Sequence, residues 1–253
     1  MKAIIMAAGM GSRLQNIIGD KPKSLIIADG ETLIARMVRI LRSRNVKDIT
    51  VVTGYKEELI HHALGSQVNY FHNSQFANTN SITSLWQAKE LLTGDVILMN
   101  ADLYVEEQII DIVLAQNRPV VMLSDSSRIE DADFRFMVDG DRIIKTGNMI
   151  ENHETDCEYV GIVRIDKSFV AEFKKRLGHM IQQDDSQNWW EGVLYSFIDD
   201  GMVIYHEDVI GTFWTEVDHI GDYKRLNNWL AEQNTILSVT RNKNISTAQV
   251  PLG

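Results

Sequence analysis

Apolar residues in the first half of the chain occur in short runs separated by longer stretches of helical spacing. Five short runs, each typical of a buried strand, occupy residues 3–6, 48–53, 68–72, 95–100 and 120–124. Between them, apolar positions recur every three or four residues and predict helices over residues 33–44, 56–64, 81–92 and 106–116, with Ser81 as a candidate N-cap. This alternation predicts an α/β fold that is Rossmann-like, with a mostly parallel mixed sheet and helices on both of its faces.

The pattern changes near residue 131. Two short apolar runs, residues 134–138 and 142–145, flank Asp139-Gly140 and predict a hairpin. Further strands are expected at 159–165 and 202–206, and helices at 167–177, 190–198 and 222–234. We interpret residues 1–235 as a single domain with a small β-rich insertion at roughly 131–215, and residues 236–253 as a polar C-terminal tail.

Three segments that carry Gly, Asn, Ser or Asp follow directly after predicted strands. They are residues 7–13, 73–85 and 101–104. Ligands of open α/β sheets bind beyond the carboxyl ends of the strands, so we expect these segments to line one cleft.

Charge and composition narrow the class of partner. The formal net charge of −10 disfavours binding to nucleic acid, and no apolar run approaches the ~20 residues of a membrane-spanning helix. The single cysteine, Cys157, cannot form a disulfide within the chain, which fits a reducing compartment. The N-terminal apolar run is too short for a signal peptide. We expect a cytoplasmic protein whose partners are small molecules. A homodimer is a possible oligomeric state.

The turn Gly9-Met10-Gly11-Ser12-Arg13 follows the first strand directly. Glycines allow a ligand to approach the backbone closely, and the backbone N–H groups can then bind phosphates. A strand-to-helix turn with no ligand can have the same sequence. Neither a dinucleotide fingerprint nor a P-loop is complete here. Arg13, at the end of the turn, has a planar guanidinium group, and Lys23, ten residues further on, has a compact ammonium group. Both cations suit phosphate oxygens.

Two aspartates follow apolar runs. Asp102 ends the stretch DVILMNAD, and Asp218 ends WTEVD. Each is also a plausible turn or capping residue, but carboxylates in such places suit a hard divalent cation.

The N-terminal region resembles the signature of the nucleotidyltransferase superfamily, which is Gly-x-Gly-x-Arg followed by Pro-Lys. The stretches that carry the resemblance are MKAIIMAAGMGSRL, KPKSLI and GETLI. The resemblance implies that an acceptor phosphate attacks the α-phosphate of a nucleoside triphosphate and pyrophosphate leaves. It also implies that Arg13 and Lys23 stabilise the developing charge. Asp102 and Asp218 are the implied Mg²⁺ ligands. The implied nucleotide-binding residues are Ala7, Ala8, Gly9, Gly11, Ser12, Arg13, Asn80, Ser84 and Ala101.

Three further stretches are similar to one branch, the bacterial phosphocholine cytidylyltransferases. Residues 76–85 resemble Tyr-Ala-x-x-Asn-Asn-x-x-Ser-Leu, residues 100–104 resemble Asp-Ala-Asp-x-Tyr, and residues 217–223 resemble Ile-Asp-x-x-x-Asp-Tyr. The likeness implies CTP as substrate and CMP transfer to a small phosphorylated alcohol or amine, or to a phosphonate. It also implies a role in cell-surface polysaccharide biosynthesis.

The acceptor side is implied by Trp189-Trp190-Glu191, which is similar to the Tyr-Trp-Asp that holds a quaternary ammonium in that branch. Aromatic faces attract an alkylammonium, although two core tryptophans would look the same. Glu216 is a further candidate for binding the acceptor. Arg135 aligns with an aromatic residue of the branch, and its charge would repel a cation. Either Phe134, next to it, takes that place, or the acceptor has a carboxylate, hydroxyls or a phosphonate such as 2-aminoethylphosphonate.

Two alternatives remain at the level of sequence. A sugar-1-phosphate nucleotidyltransferase would use UTP or dTTP, but the chain lacks an obvious sugar-binding motif of that group. A regulatory nucleotide-binding module without catalysis would not need Lys23, Asp102 and Asp218 together.

Overall fold

In residues 1–14 and 18–247, the part of the chain that this computed structural model describes, thirteen strands and seven α-helices are formed. The strands are β1 (Lys2–Ala7), β2 (Ile27–Ala28), β3 (Glu31–Thr32), β4 (Asp48–Thr53), β5 (Asn69–His72), β6 (Val96–Asn100), β7 (Leu103–Val105), β8 (Val120–Asp125), β9 (Arg135–Asp139), β10 (Arg142–Gly147), β11 (Cys157–Ile165), β12 (Ile204–Asp208) and β13 (Trp214–Glu216). The helices are α1 (Leu33–Ser43), α2 (Glu57–Leu64), α3 (Ser81–Gln87), α4 (Glu107–Ala115), α5 (Lys167–Gln182), α6 (Gly192–Asp199) and α7 (Ile220–Thr247).

The main sheet is mixed, with the order β5-β4-β1-β6-β11-β8-β12-β10-β9. Its first four strands are parallel. Parallel neighbours need a crossover segment that returns the chain to the end of the sheet at which the previous strand began. From β11 onward most pairings are antiparallel, and β9, the last strand in this order, pairs both with β10 and with β11. The expected α/β class with a mixed sheet is confirmed.

Alternate residues of β1 face two separate cores. Ala3 and Ile5 pack with α1, α2 and α4, whereas Ile4 and Met6 pack with α3, α5 and α6. The sheet is therefore covered by helices on both faces, as the buried, apolar strands predicted.

Differences from the predicted elements lie mainly at helix ends. Asn80, not Ser81, caps α3, since its Oδ1 accepts from the Ser81 N–H at 2.7 Å. The predicted helix over residues 190–198 begins at Gly192 and ends at Asp199. The last helix continues to Thr247, so residues 236–247 of the expected tail are helical. That stretch contains no Gly or Pro to end a helix, and residues 248–253 lie outside the described part.

A small two-stranded ribbon pairs β7 with β13 in antiparallel register, Leu103 facing Glu216. The Val217 N–H extends it by donating to the Asp102 carbonyl at 3.0 Å. One strand starts just after Asp102, and the other ends just before Asp218, so the ribbon brings the two aspartates to one place.

None of the helices in the described residues is both long and apolar enough to span a membrane.

Candidate active site

A cavity of about 560 Å³ opens at the carboxyl ends of β1 and β6. Its wall is formed by all three segments that follow strands in the sequence, together with residues near β13 and α6. The wall residues that the sequence also singled out are Ala8, Gly9, Gly11, Arg13, Lys23, Asn80, Ser84, Asp102, Glu191, Glu216, Asp218, Phe134 and Trp189. The expected convergence on one cleft is confirmed.

The two glycines of the first turn serve different steric needs. Gly11 has a φ of +61°, and a Cβ there would lie 2.7 Å from Cγ of Lys23. Gly9 has no other atom of the described chain within 4 Å of such a Cβ, and it faces the cavity. Gly11 is therefore required by the backbone and by the passing Lys23 stem, whereas only a ligand would require glycine at position 9.

We expect Gly9→Ala and Gly11→Ala to separate binding from catalysis. Gly9→Ala should leave the melting temperature unchanged and raise the KM for the nucleotide about tenfold, because its methyl group occupies ligand space. Gly11→Ala should lower kcat by displacing Lys23 and should cost about 1 kcal/mol of stability through its positive φ. Steady-state kinetics and thermal unfolding of both variants check this, and an unchanged nucleotide KM in Gly9→Ala would contradict it.

Lys23 lies between the two aspartates. Its Nζ is 2.9 Å from Asp102 Oδ2 and also forms an ion pair with Asp218. Burial opposes the ammonium charge, but the two neighbouring carboxylates outweigh it and raise the pKa of Lys23 above its usual range. Arg13 is more exposed and contacts one of these carboxylates, with its Nη1 3.4 Å from Asp218 Oδ2.

Three carboxylates meet at this point. Asp102, Glu216 and Asp218 each offer one oxygen, and these oxygens lie within 4.8 Å of one another. Such an all-oxygen set fits a hard cation such as Mg²⁺, which takes one or two carboxylates together with substrate phosphates. Asp222 is not part of this group of carboxylates. Its carboxylate accepts hydrogen bonds from the N–H groups of Asp218 and His219 at the start of α7.

Asn80 and Ser84 also line the cavity, from the N-cap and first turn of α3. The Asn80 side chain also donates to the Gln187 carbonyl at 3.0 Å, and Ser84 Oγ accepts from Asn73 Nδ2 at 2.7 Å. Ala7 and Ala101 are buried strand-end residues rather than part of the cavity wall, and the side chain of Ser12 lies outside what the structure describes.

The neighbouring residues Trp189 and Trp190 have different environments. Trp189 is 51% exposed and lines the cavity, whereas Trp190 is fully buried. The Trp190 indole donates to Asn100 Oδ1 at 2.9 Å. Trp190 thus contacts a wall residue without facing the cavity itself.

The same contrast holds for Phe134 and Arg135. Phe134 lines the cavity and stacks on Tyr195, with ring centroids 4.4 Å apart. Arg135 turns away, and its Nη1 donates to the Ile150 carbonyl at 2.6 Å. Of the two alternatives open in the sequence, the structure places the aromatic residue in the wall.

Asn100 is a wall residue that the sequence did not single out. Its Nδ2 donates to Glu191 Oε1 at 3.0 Å and to Glu216 Oε1 at 3.1 Å. The available signal was the departure from Asp-Ala-Asp, since this chain has Asn at the first position. Tyr159 and Tyr195 also line the cavity and were not expected there.

Burial and mutual repulsion set the charge state of the glutamates in this wall. Burial, with a contribution from Asp102, raises the pKa of Glu191 to about 7. Burial and then the charges of Asp102 and Asp218 raise the pKa of Glu216 well above its usual range. An incoming cation would reverse these shifts, because it favours the ionised form of both groups.

Comparison with known proteins identifies the family. Residues 3–178 match the model of the MobA-like NTP transferase domain. The CTP:phosphoglutamine cytidylyltransferase of Campylobacter jejuni is 25% identical over 249 residues, covering 88% of this chain and 97% of that protein. The choline-phosphate cytidylyltransferase of Streptococcus pneumoniae is 24% identical over 236 residues, covering 92% and 100%. In fold, the solved CTP:phosphocholine cytidylyltransferase from S. pneumoniae (LicC) matches with a TM-score of 0.76 at 22% identity, covering 90% of this chain and 98% of that one. The chain therefore belongs to the MobA-like NTP transferase family and is a nucleotidyltransferase.

Proposed function

We propose that this nucleotidyltransferase is a Mg²⁺-dependent cytidylyltransferase that transfers CMP from CTP to a small phosphorylated alcohol or amine, or to a phosphonate, and releases pyrophosphate. The observation that carries the proposal is a single cavity whose wall contains two chemically different groups of residues. One group is the glycine turn, Lys23 and the aspartates, which we call the nucleotide end; the other is Glu191 and the aromatic rings, which we call the acceptor end. Relatives that span nearly the whole chain and use CTP support the choice of nucleotide.

The nucleotide end suits a triphosphate. Gly9 leaves room for close approach of the backbone to phosphates, and Lys23 and Arg13 supply positive charge on the same side. Asn80 and Ser84 are the proposed contacts to base and ribose, since both are polar wall residues at the start of α3.

The proposed reaction is a displacement at phosphorus. An oxygen of the acceptor phosphate forms a bond to the α-phosphorus of CTP, and the bond from that phosphorus to the bridging oxygen of the β-phosphate breaks. The attacking oxygen needs no general base, because a phosphate monoester is largely dianionic at pH 7. Lys23 and Arg13 stabilise the charge that develops on the transferring phosphate, and no covalent enzyme intermediate is formed.

Asp102 and Asp218 are the proposed ligands of Mg²⁺, with Glu216 beside them. When bound there, the ion would supply neutralisation of phosphate charge at the reacting end of the triphosphate. Lys23 already contacts both aspartates, so it supplies positive charge beside them both with and without the bound ion.

Pyrophosphate release tests the proposal. Each of CTP, UTP, dTTP and ATP is assayed against phosphocholine, phosphoethanolamine, 2-aminoethylphosphonate, phosphoglutamine and sugar 1-phosphates, with and without Mg²⁺. We expect release only with Mg²⁺, fastest with CTP and an acceptor that is not a sugar phosphate. Release confined to UTP or dTTP with a sugar 1-phosphate would instead establish the alternative assignment, and no release with any pair would contradict the proposed enzyme.

A further inference from the structure

The buried carboxylate of Glu191 and the partly buried carboxylate of Glu216 share one amide in the cavity wall. Asn100 uses one amide hydrogen for Glu191 and the other for Glu216, at 3.0 and 3.1 Å. The amide cannot turn over without loss, because Trp190 donates to its oxygen. This arrangement holds two acidic groups side by side in a fixed orientation.

These carboxylates have unused accepting capacity. Each carboxylate can accept about four hydrogen bonds. In the described part of the chain, Asn100 is the one side-chain donor to either group, and the backbone N–H of Glu191 is a further donor to its own carboxylate. Glu191 is only 6% exposed and lines the cavity, so a ligand in the cavity can reach its remaining acceptor positions. The nearby cation, Lys23, is taken by Asp102 and Asp218. Buried carboxylates are costly without a cationic or hydrogen-bonding partner, so this corner is suited to a positively charged donor.

Tyr159 adds an independent observation in the same wall. Its side chain is 7% exposed and lines the cavity, and its hydroxyl has no hydrogen-bond partner within the described residues. Native proteins rarely leave a buried hydroxyl unpaired, so a polar group of the ligand is the natural partner for it.

The aromatic rings beside Glu191 pack in part against one another. Phe134 and Tyr195 stack face to face with an interplanar angle of 12°, so each ring covers one face of the other. Trp189 meets Phe134 edge-on, at 76° and 6.3 Å between centroids. A quaternary ammonium depends on exposed aromatic faces and has no N–H to donate, whereas a primary ammonium has three donors.

Resting on the proposed function, we propose that the acceptor carries a protonated primary amine that binds to Glu191 and Glu216, with Asn100 as the residue that positions both carboxylates. The amine's N–H groups supply further donors to these two carboxylates and can also reach the Tyr159 hydroxyl. The remaining aromatic surface contacts the short carbon chain between the amine and the phosphate.

A graded series of acceptors tests this inference. Phosphoethanolamine, its N-methyl and N,N-dimethyl derivatives, and phosphocholine share the phosphate and spacer and lose one N–H at each step. With CTP and Mg²⁺, we expect kcat/KM to fall at each step and by at least about 100-fold across the series, because a site built to hydrogen-bond a group rejects analogues that lack it.

The outcomes separate the two proposals. A kcat/KM that is constant or rises with methylation would overturn the primary amine and leave the cytidylyltransferase intact. Release confined to acceptors without an amine would do the same. No release with any nucleotide and acceptor would overturn the proposed function, and this inference with it.

Variants test the positioning role. Asn100→Asp is similar in size but adds a third carboxylate beside Glu191 and Glu216, and Glu191→Gln removes one negative charge. Both should raise the KM for phosphoethanolamine at least about tenfold and reduce its advantage over phosphocholine, with the KM for CTP unchanged. Glu232→Gln, on the exposed side of α7, is the matched control and should behave like the native chain. If Asn100→Asp fails to fold, Glu191→Gln carries the test. A loss confined to kcat, with discrimination retained, would contradict the inference.

Discussion

Asparagine in place of Asp102 or Asp218 is expected to lower kcat at least about 1000-fold, because each substitution removes a charged ligand from the proposed Mg²⁺ site. Each change keeps the side-chain volume and removes one negative charge. The β7–β13 ribbon that positions both residues is held by backbone pairing, so the fold should persist.

Two measurements check this expectation. Turnover is measured across a Mg²⁺ titration, and metal binding is measured separately by calorimetry in the presence of CTP. Both variants should bind the ion at least about tenfold more weakly than the native chain does. Asp199→Asn, at the exposed end of α6, is the control. Near-normal turnover in either site variant would show that the metal ligands were assigned wrongly.

Alanine in place of Lys23 is expected to lower kcat by about 100- to 1000-fold with a much smaller change in KM, since a preorganised charge acts mainly on the transition state. The ammonium lies between Asp102 and Asp218, so it is held beside the proposed Mg²⁺ site. Lys21→Ala changes an exposed lysine two residues away and should have little effect.

An effect on KM alone would change the interpretation of Lys23. It would mean that the ammonium binds the triphosphate equally in the ground state and in the transition state. A Lys23→Arg variant adds a further comparison, because arginine retains the charge but cannot place a compact ammonium between the two carboxylates.

The grouping of residues at the proposed nucleotide end could be predicted from the sequence because these residues follow strands. Gly9, Asp102 and the segment around Asn80 come directly after β1, β6 and β5 or lie close behind them. The sheet brings strand ends together, so local patterns were enough to place these residues in one cleft.

The acceptor end could not be predicted at the level of single residues. Phe134 and Arg135 are adjacent but turn to different sides, as do Trp189 and Trp190. A shift of one position along an extended chain reverses which side chain faces a cavity, and a motif without its partners does not fix that register.

Asn100 shows a second limit. Its contacts join residues that lie 91 and 116 positions further along the chain, one before α6 and the other at the end of β13. No local pattern reports such a contact. The sequence does show that this chain has Asn where the similar branch has Asp. Only the fold shows the effect of that Asn, which is that two carboxylates can lie beside it.

The charge distribution of the cavity connects both proposals. Asp102 and Asp218 lie at the proposed phosphate end, Glu191 lies at the proposed acceptor end, and Glu216 lies between them, close to both aspartates and joined to Glu191 through Asn100. Two anionic substrates can enter such an acidic cavity only with compensating cations. Mg²⁺ is the proposed cation for the triphosphate, and the acceptor's own amine is the proposed cation at the other end.

Phosphorus NMR of the reaction mixture tests the central claim most directly. With CTP, Mg²⁺ and the acceptor that gives the fastest pyrophosphate release, the three CTP resonances should be replaced by pyrophosphate and, in equal amount, by a cytidine product whose two phosphorus atoms are linked to the acceptor. Formation of CDP and orthophosphate, or CTP that stays unconsumed with every acceptor, would contradict CMP transfer by this chain.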